Sequence, residues 1–186
     1  ELLNFCTVDL SAFYFDIRKD SLYCDSKNSE RRKNCIVVLN VILETLLKWF
    51  APILSFTAEE IFSLTNKDKK SIHLEKFIEF PNSFENVKLN EKWIELKKIR
   101  DICNISIEAK RASKEIGSSL EASLIISLNE KLFKLTENTN FSELCITSSA
   151  KIEKKNFKEI GVTTIKAEGF KCPVCWKINK EKCERH

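Results

Sequence analysis

Three cysteines and one histidine crowd into the last fifteen residues of the chain with the spacing of metal ligands. Cys172 and Cys175 form a Cys-x₂-Cys pair, and Cys183 and His186 form a second pair at the same spacing. A tight turn lets two such groups converge on one ion, and two pairs supply four ligands in tetrahedral geometry. Three sulfurs and one imidazole nitrogen suit Zn²⁺. Because this set leaves no ligand position for a substrate, it predicts a structural zinc site.

A reduced or redox-active Cys-x₂-Cys is the alternative interpretation of this cluster. Thioredoxin-like motifs need a surrounding βαβ pattern, which the sequence around Cys172 does not show. The remaining five cysteines are scattered, mostly among apolar neighbours, and are predicted to be core residues without disulfides (Cys6, Cys24, Cys35, Cys103 and Cys145). Together with the lack of a visible secretory signal, this cysteine usage predicts a cytoplasmic protein.

Positive charge is concentrated around the cysteine cluster. Residues 151–186 contain ten Lys or Arg and five Asp or Glu, whereas the formal net charge of the whole chain is only +4. Phosphate groups are the natural partners of such a surface. Trp176 could stack on an unpaired base or, equally, pack over the metal site. A second basic group lies around Arg100 and Arg111, where interleaved acidic residues leave a solvated helix face as the alternative.

The elements that must position these residues are mainly helical. The chain of 186 residues is 43% hydrophobic, and its three Gly and three Pro argue against Rossmann folds, P-loops and turn-rich sandwiches. Apolar spacing of three and four predicts a helix over 30–50, capped by Ser29 and ended by Pro52. Thr57 and Glu60 predict a capping box for a short helix. Polar residues within the apolar stretch 35–56 indicate a buried helix and no membrane span.

The remaining elements change character near residue 118. Asn90 is predicted to cap a second long helix over 91–116, closed by Gly117, with one apolar stripe against a partner helix. Residues 122–128, 141–147 and 162–167 then predict strands, with a short helix near 131–135. The sequence therefore predicts an all-α unit followed by a small α/β unit that ends in the cysteine cluster.

Several strings, in this order, resemble the C-terminal part of bacterial-type isoleucyl-tRNA synthetases, which are class I aminoacyl-tRNA synthetases. The strings cover nearly the whole chain. Each string alone is a weak signal, but their combination in this order is specific to the family. They are Asp9-Leu-Ser-Ala-Phe-Tyr-Phe-Asp-Ile-Arg-Lys-Asp20 with Leu22-Tyr-Cys-Asp25, Trp49-Phe-Ala-Pro-Ile-Leu-Ser-Phe-Thr-Ala-Glu-Glu60, Ser71-Ile-His-Leu-Glu75, Ile116-Gly-Ser-Ser-Leu-Glu-Ala122 and Cys172-Pro-Val-Cys-Trp176. The final pair departs from the family, which usually presents a second Cys-x₂-Cys where this chain has Cys183 and His186.

The resemblance implies a mainly α fold in three parts. Residues 1–117 would form a helical anticodon-binding bundle with a truncated N-terminal edge. Residues 118–168 would form a small α/β junction domain, and residues 169–186 a zinc-binding knuckle. The chain begins at Glu1 without a Met, and this start suggests a piece of a longer protein.

The resemblance also implies a function in tRNA binding. The parent enzyme would join isoleucine to its tRNA with ATP and Mg²⁺, through an aminoacyl-adenylate. Because the catalytic signatures His-Ile-Gly-His and Lys-Met-Ser-Lys-Ser do not occur in this sequence, we expect these 186 residues alone to be inactive. They would act as a monomer, with an upstream catalytic domain of the same polypeptide, and would grip the anticodon arm of tRNA-Ile.

The charge clustering predicts which side chains face that arm. Five lie in the knuckle and two on the second long helix: Lys171, Trp176, Lys177, Lys180, Arg185, Arg100 and Arg111. Three rival interpretations remain open. They are a valyl- or leucyl-type synthetase, a free-standing zinc-containing module that binds RNA or protein, and a purely structural helical bundle.

Overall fold

The computed structural model describes residues 1–68, 70–156, 159–183 and 185. In this part of the chain the fold is mainly helical, as predicted, with a small sheet and a short hairpin. Two compact units are present, one of residues 25–85 and one of residues 1–24 with 86–186. The three-part division at residues 117 and 168 stays a prediction. No helix among the described residues combines the length and the apolar character needed to cross a bilayer.

The unit of residues 1–24 and 86–186 begins with one continuous helical segment. A short α1, Leu2–Asn4, runs into a wider π-helical stretch, Phe5–Phe15, and then into α2, Asp16–Cys24. The chain is therefore helical from Leu2 to Cys24. Ile17 of α2 is buried in the core of this unit, whereas Asp20 and Cys24 face the C-terminal hairpin.

The longest helix of this unit, α5, spans Val87–Ala112, and both of its predicted ends were wrong. The side chain of Asn86, rather than Asn90, caps it by accepting a hydrogen bond from the Leu89 backbone N–H at 2.9 Å. At the other end, Lys114 takes a left-handed conformation with φ of 61°. The Glu115 N–H then bonds the Lys110 carbonyl, which closes the helix five residues before Gly117.

The buried stripe of α5 packs against a sheet. Leu96, Ile99, Cys103 and Ile107 are at most 2% exposed, as the apolar periodicity predicts. Their partners include alternate residues of β1, Ala122–Leu128, in one shared core. The predicted partner was a helix. The error has a simple reason, since the apolar stripe of a helix fits the buried face of a sheet as well as another helix.

The sheet has three strands in the order β2-β1-β3. The central β1 pairs in parallel with β2, Ser149–Lys154, and antiparallel with β3, Gly161–Lys166. The prediction of β1 is confirmed to the residue, and that of β3 is confirmed with a shift of one residue. No strand was predicted at β2, because its alternation of charged and small residues carries a weak apolar signal.

Two short helices connect β1 to β2. They are α6, Glu130–Leu135, as predicted, and α7, Phe141–Leu144, where a strand over 141–147 was predicted. The Asn140 side chain causes the difference by accepting hydrogen bonds from the backbone N–H groups of Ser142 and Glu143. Such a cap starts a helix. The apolar spacing of so short a segment does not distinguish a helix from a strand.

A two-stranded antiparallel hairpin ends the described chain. It pairs β4, Phe170–Lys171, with β5, Ile178–Asn179. Its connecting turn carries Cys172, Cys175 and Trp176. We call residues 169–185, as far as the structure describes them, the knuckle.

The unit of residues 25–85 is a helical hairpin with two short 3₁₀ turns. The predicted α3 is confirmed at Glu30–Phe50, and α4 spans Ser55–Thr65. The 3₁₀ turns lie at Ile72–Leu74 and Asn82–Phe84. The core of this unit is small and buries Leu47, Ala51, Ala58, Phe62 and Ile72.

The capping box predicted at Thr57 and Glu60 was wrong. The helix begins two residues earlier, at Ser55, so Thr57 lies inside its first turn. The neighbouring carboxylate of Glu59 instead accepts hydrogen bonds from the Ser71 hydroxyl and the Ile72 backbone N–H, both at 2.9 Å. These bonds tie the first 3₁₀ turn to α4.

Candidate metal centre and nucleic-acid interface

Three of the four predicted metal ligands meet in the knuckle. The Sγ atoms of Cys172, Cys175 and Cys183 all lie within 4.8 Å of one another, and those of Cys175 and Cys183 are 3.9 Å apart. Thiolates at about 2.3 Å from a tetrahedral zinc ion lie ~3.8 Å from each other. The three sulfurs could therefore hold a metal ion with little rearrangement. The fourth predicted ligand, His186, lies outside the described residues.

Local backbone geometry brings these sulfurs together. The Trp176 N–H bonds the Cys172 carbonyl at 3.0 Å, and the Cys172 N–H bonds the Lys177 carbonyl at 2.9 Å. Trp176 closes this turn in the left-handed region, with φ of 61°. Gly169 has φ of 130°, and a Cβ atom there would lie 2.2 Å from the Asn179 carbonyl oxygen. Only glycine lets the two strands approach this closely.

Without a cation, the cluster is an unfavourable place for thiolates. Cys172 and Cys175 are 6% and 5% exposed. Burial is the main cause that raises the pKa of the Cys175 thiol, to about 11, and the thiols of Cys172 and Cys183 add to it against an opposing backbone hydrogen bond at Lys177. A bound cation reverses this balance because it stabilises thiolates. The chemistry of the site therefore fits a soft metal cation.

The exposed face of the knuckle carries an aromatic ring beside a cation. Trp176 is 58% exposed, and Nζ of Lys171 lies 5.4 Å from the centre of its ring. The left-handed conformation of Trp176 projects the residue from the turn while its neighbour Cys175 stays buried. An exposed ring with an adjacent ammonium group can stack on a base and contact a phosphate at once.

The other predicted lysines of the knuckle have different surroundings. Lys177 is partly buried and lines a groove of about 410 Å³ between α2, α7 and the knuckle. Lys180 is exposed and lies 3.6 Å from the Glu168 carboxylate. An ion pair this exposed contributes little to stability, because water screens it. Both lysines lie on the same short hairpin as Trp176.

The three predicted arginines all make ion pairs in this structure. Arg185 contacts the Asp20 carboxylate at 2.7 Å, and Arg111 contacts Glu108 at 2.7 Å. The Arg100 side chain is only 14% exposed, and its Nε donates to the Leu144 carbonyl at 2.8 Å. The structure thus brings five of the seven predicted RNA-facing residues together on the knuckle, while Arg100 and Arg111 lie on α5. Their contact with RNA stays a prediction.

The groove beside the knuckle is a feature that sequence reasoning missed. Tyr23 is 80% exposed there, and Cys24, Val174 and Trp176 complete much of the lining. The string from Leu22 to Asp25 contributes Tyr23 and Cys24 to the lining of this groove, and its residue types carry no signal for one. The proximity of α2 to residues about 150 positions later is set by tertiary packing, which local patterns do not report.

Comparisons with known proteins identify the family of the chain. Residues 1–126 match the family model described as the anticodon-binding domain of tRNA ligase. An isoleucine–tRNA ligase of Pelagibacter ubique (strain HTCC1062) is 75% identical over 186 residues, which is all of this chain and 21% of the relative. The isoleucine–tRNA ligase of Bartonella quintana (strain Toulouse) is 39% identical over 191 residues, covering 97% of this chain and 20% of the relative.

A third relative shows the same pattern. The isoleucine–tRNA ligase of Agrobacterium fabrum (strain C58 / ATCC 33970) is 36% identical over 191 residues, again covering 97% of this chain and 20% of its own length. The chain therefore spans about a fifth of the length of these relatives. Since the matching family model covers more than half of the sequence, the chain belongs to the anticodon-binding domain family of tRNA ligases.

Proposed function

We propose that this chain is the part of an isoleucine–tRNA ligase that grips the anticodon arm of tRNA-Ile. The observation that carries the proposal is the 75% identity, over the full chain, to one such ligase. The exposed Trp176 and Lys171 on the knuckle support it, because unpaired anticodon bases offer faces for stacking and phosphates for ion pairing.

The contacts fall into two classes. Trp176 stacks on an unpaired base, and Lys171, Lys177 and Lys180 neutralise phosphates around it. Phosphate contacts position an RNA, whereas base contacts make it specific. The three predicted arginines remain candidates for RNA contact. To reach RNA, each side chain would have to leave the ion pair described above: Arg185, Arg100 and Arg111.

We propose Zn²⁺ as the ion of the cysteine cluster, with His186 as its fourth ligand. Three sulfurs within 4.8 Å of one another, with a histidine three residues after the last cysteine in sequence, favour zinc over harder cations. The role would be structural, because a segment of this size buries too little apolar area to fold unaided. ATP and Mg²⁺ would serve the catalytic part of the ligase, through which isoleucine is activated.

Binding of defined tRNAs tests the proposal. The zinc-loaded chain is titrated with tRNA-Ile, with tRNA-Val and with an unrelated RNA of equal length at 50 mM and 200 mM salt. We expect tRNA-Ile to bind at least about tenfold more tightly than either competitor at the higher salt, where phosphate contacts weaken. Equal binding of tRNA-Val would favour the valyl-type alternative. No RNA binding at low salt would leave a structural bundle.

A further inference from the structure

Two contacts attach the loops of the knuckle to one face of α2. Nη1 of Arg185 lies 2.7 Å from Oδ2 of Asp20, and Nη2 of Arg185 lies 3.5 Å from the Asp20 backbone carbonyl. One helical turn further along, the Cys24 thiol donates to the Val174 carbonyl over 3.7 Å. Because residues four apart share one face of a helix, α2 holds the two loops of the knuckle from the same side.

A third contact fixes the hairpin of the knuckle to the sheet. The Ile178 backbone N–H donates to the Ser148 hydroxyl at 2.6 Å, and that hydroxyl donates to the Leu120 carbonyl. Ser148 directly precedes β2, so this contact ties β5 to the edge of the sheet. Trp176 lies between this attachment and the one at α2. Its orientation therefore depends on both.

The ion pair is the strongest of the attachments at α2. Asp20 and Arg185 side chains are 18% and 30% exposed, so water and salt screen them less than they screen most surface pairs. The guanidinium also reaches a side-chain and a backbone oxygen of one residue, which restricts its orientation. By contrast, a thiol is a weak hydrogen-bond donor.

From this arrangement we infer that Asp20 is a positioning residue for RNA binding. Its ion pair with Arg185 sets the orientation of the knuckle and thereby holds Trp176 and Lys171 toward the RNA. The inference rests on the proposed function, because the face it orients is the one proposed to meet the anticodon arm. In this arrangement Asp20 touches no RNA. Arg185 keeps its ion pair with Asp20, and this role replaces its predicted contact with RNA.

Because Asp20 is negatively charged, the direction in which RNA affinity changes when its carboxylate is removed tests this inference. Loss of a carboxylate near a polyanion strengthens binding if only long-range electrostatics matter. Loss of a positioning carboxylate weakens binding instead. Asp20→Ala keeps α2 helical, because alanine has the highest helix propensity. Asp101→Ala is the matched control, since Asp101 is an exposed acid on α5.

The experiment measures tRNA-Ile affinity and zinc affinity of the full chain. The variants are Asp20→Ala, Arg185→Ala, both together and Asp101→Ala. We expect each of the first two to weaken RNA binding about fivefold and the double variant to weaken it by no more than about fivefold, because residues of one contact are non-additive. Asp101→Ala leaves RNA binding unchanged or slightly tighter, and zinc affinity stays within about twofold throughout.

Three results would overturn the inference. They are unchanged or tighter RNA binding by Asp20→Ala, a double variant that loses the product of the two single effects, and a loss of zinc affinity that parallels the loss of RNA affinity. If the wild-type chain fails to bind tRNA-Ile at all, the proposed function itself fails. That outcome is distinct from the other three.

Discussion

At the scale of single residues, two arginines three turns apart on one helix have different surroundings. The Arg100 guanidinium bonds the Leu144 carbonyl, lies 3.9 Å from the Asp16 carboxylate and stacks 5.3 Å from the Phe13 ring centre. Arg111, three turns later on α5, makes one exposed pair with Glu108. The sequence predicts RNA contact for both arginines, because periodicity and charge do not show which of them a neighbouring segment covers.

Substitution of the two arginines separates these environments. We expect Arg100→Ala to lower the free energy of unfolding by about 1.5–3 kcal/mol, the usual range for a partly buried hydrogen bond to a charged group. Arg111→Ala, the matched control, should cost no more than about 0.5 kcal/mol. Urea unfolding followed by circular dichroism measures both. Equal losses would show that Arg100 does not link α5 to α7.

At the scale of elements, sequence patterns predicted most of the long or strongly apolar segments, and the two misassigned elements are short or polar. The bounds of α3 and β1 were predicted to the residue, because a 21-residue helical period and a continuous β-rich run are unambiguous signals. The strand β2 was missed and α7 was misassigned. The strand β2 is decided by a pairing partner distant in sequence, and the helix α7 is decided by one side-chain cap.

The cap of α7 gives a direct test of that explanation. Asn140 accepts hydrogen bonds from the Ser142 and Glu143 backbone N–H groups and from the Ser142 hydroxyl. We expect Asn140→Ala to destabilise this unit by ~1 kcal/mol, whereas Asn140→Asp should cost much less, since Asp caps equally well. Thermal unfolding of the two variants provides the comparison. Equal destabilisation by both would mean that the side chain does not cap the helix.

At the scale of the whole molecule, the cysteine cluster and the helical core are predicted to respond separately to loss of the proposed ion. The core of α5 and the sheet contains none of the three clustered cysteines. The knuckle has only four paired strand residues and depends on its cysteines. The meeting of the three cysteines was predictable from their spacing in the sequence. The attachment of the knuckle to α2 was not, because α2 lies about 150 residues earlier in the chain.

Removal of the metal by a chelator tests this separation. We expect residues near 170–186 to lose amide-exchange protection while the helical circular dichroism signal changes by less than about a tenth, because metal binding supplies folding energy only locally. A metal-free Cys175→Ser variant should look the same without the chelator. Loss of most of the helical signal on chelation would contradict separate folding of the two parts.

The exposed aromatic and basic face of the knuckle is proposed to contact the tRNA, and substitution of Trp176 and Lys171 tests this contact most directly. Dissociation constants for tRNA-Ile are measured across a range of salt concentrations for the wild type, Trp176→Ala, Lys171→Ala and the exposed control Lys131→Ala. We predict that Trp176→Ala weakens binding roughly tenfold at every salt concentration, the size of one lost stacking contact. Lys171→Ala should lower the salt slope by about one, and Lys131→Ala should do neither. Unchanged affinity and an unchanged salt slope for both knuckle variants would show that this face does not contact the tRNA.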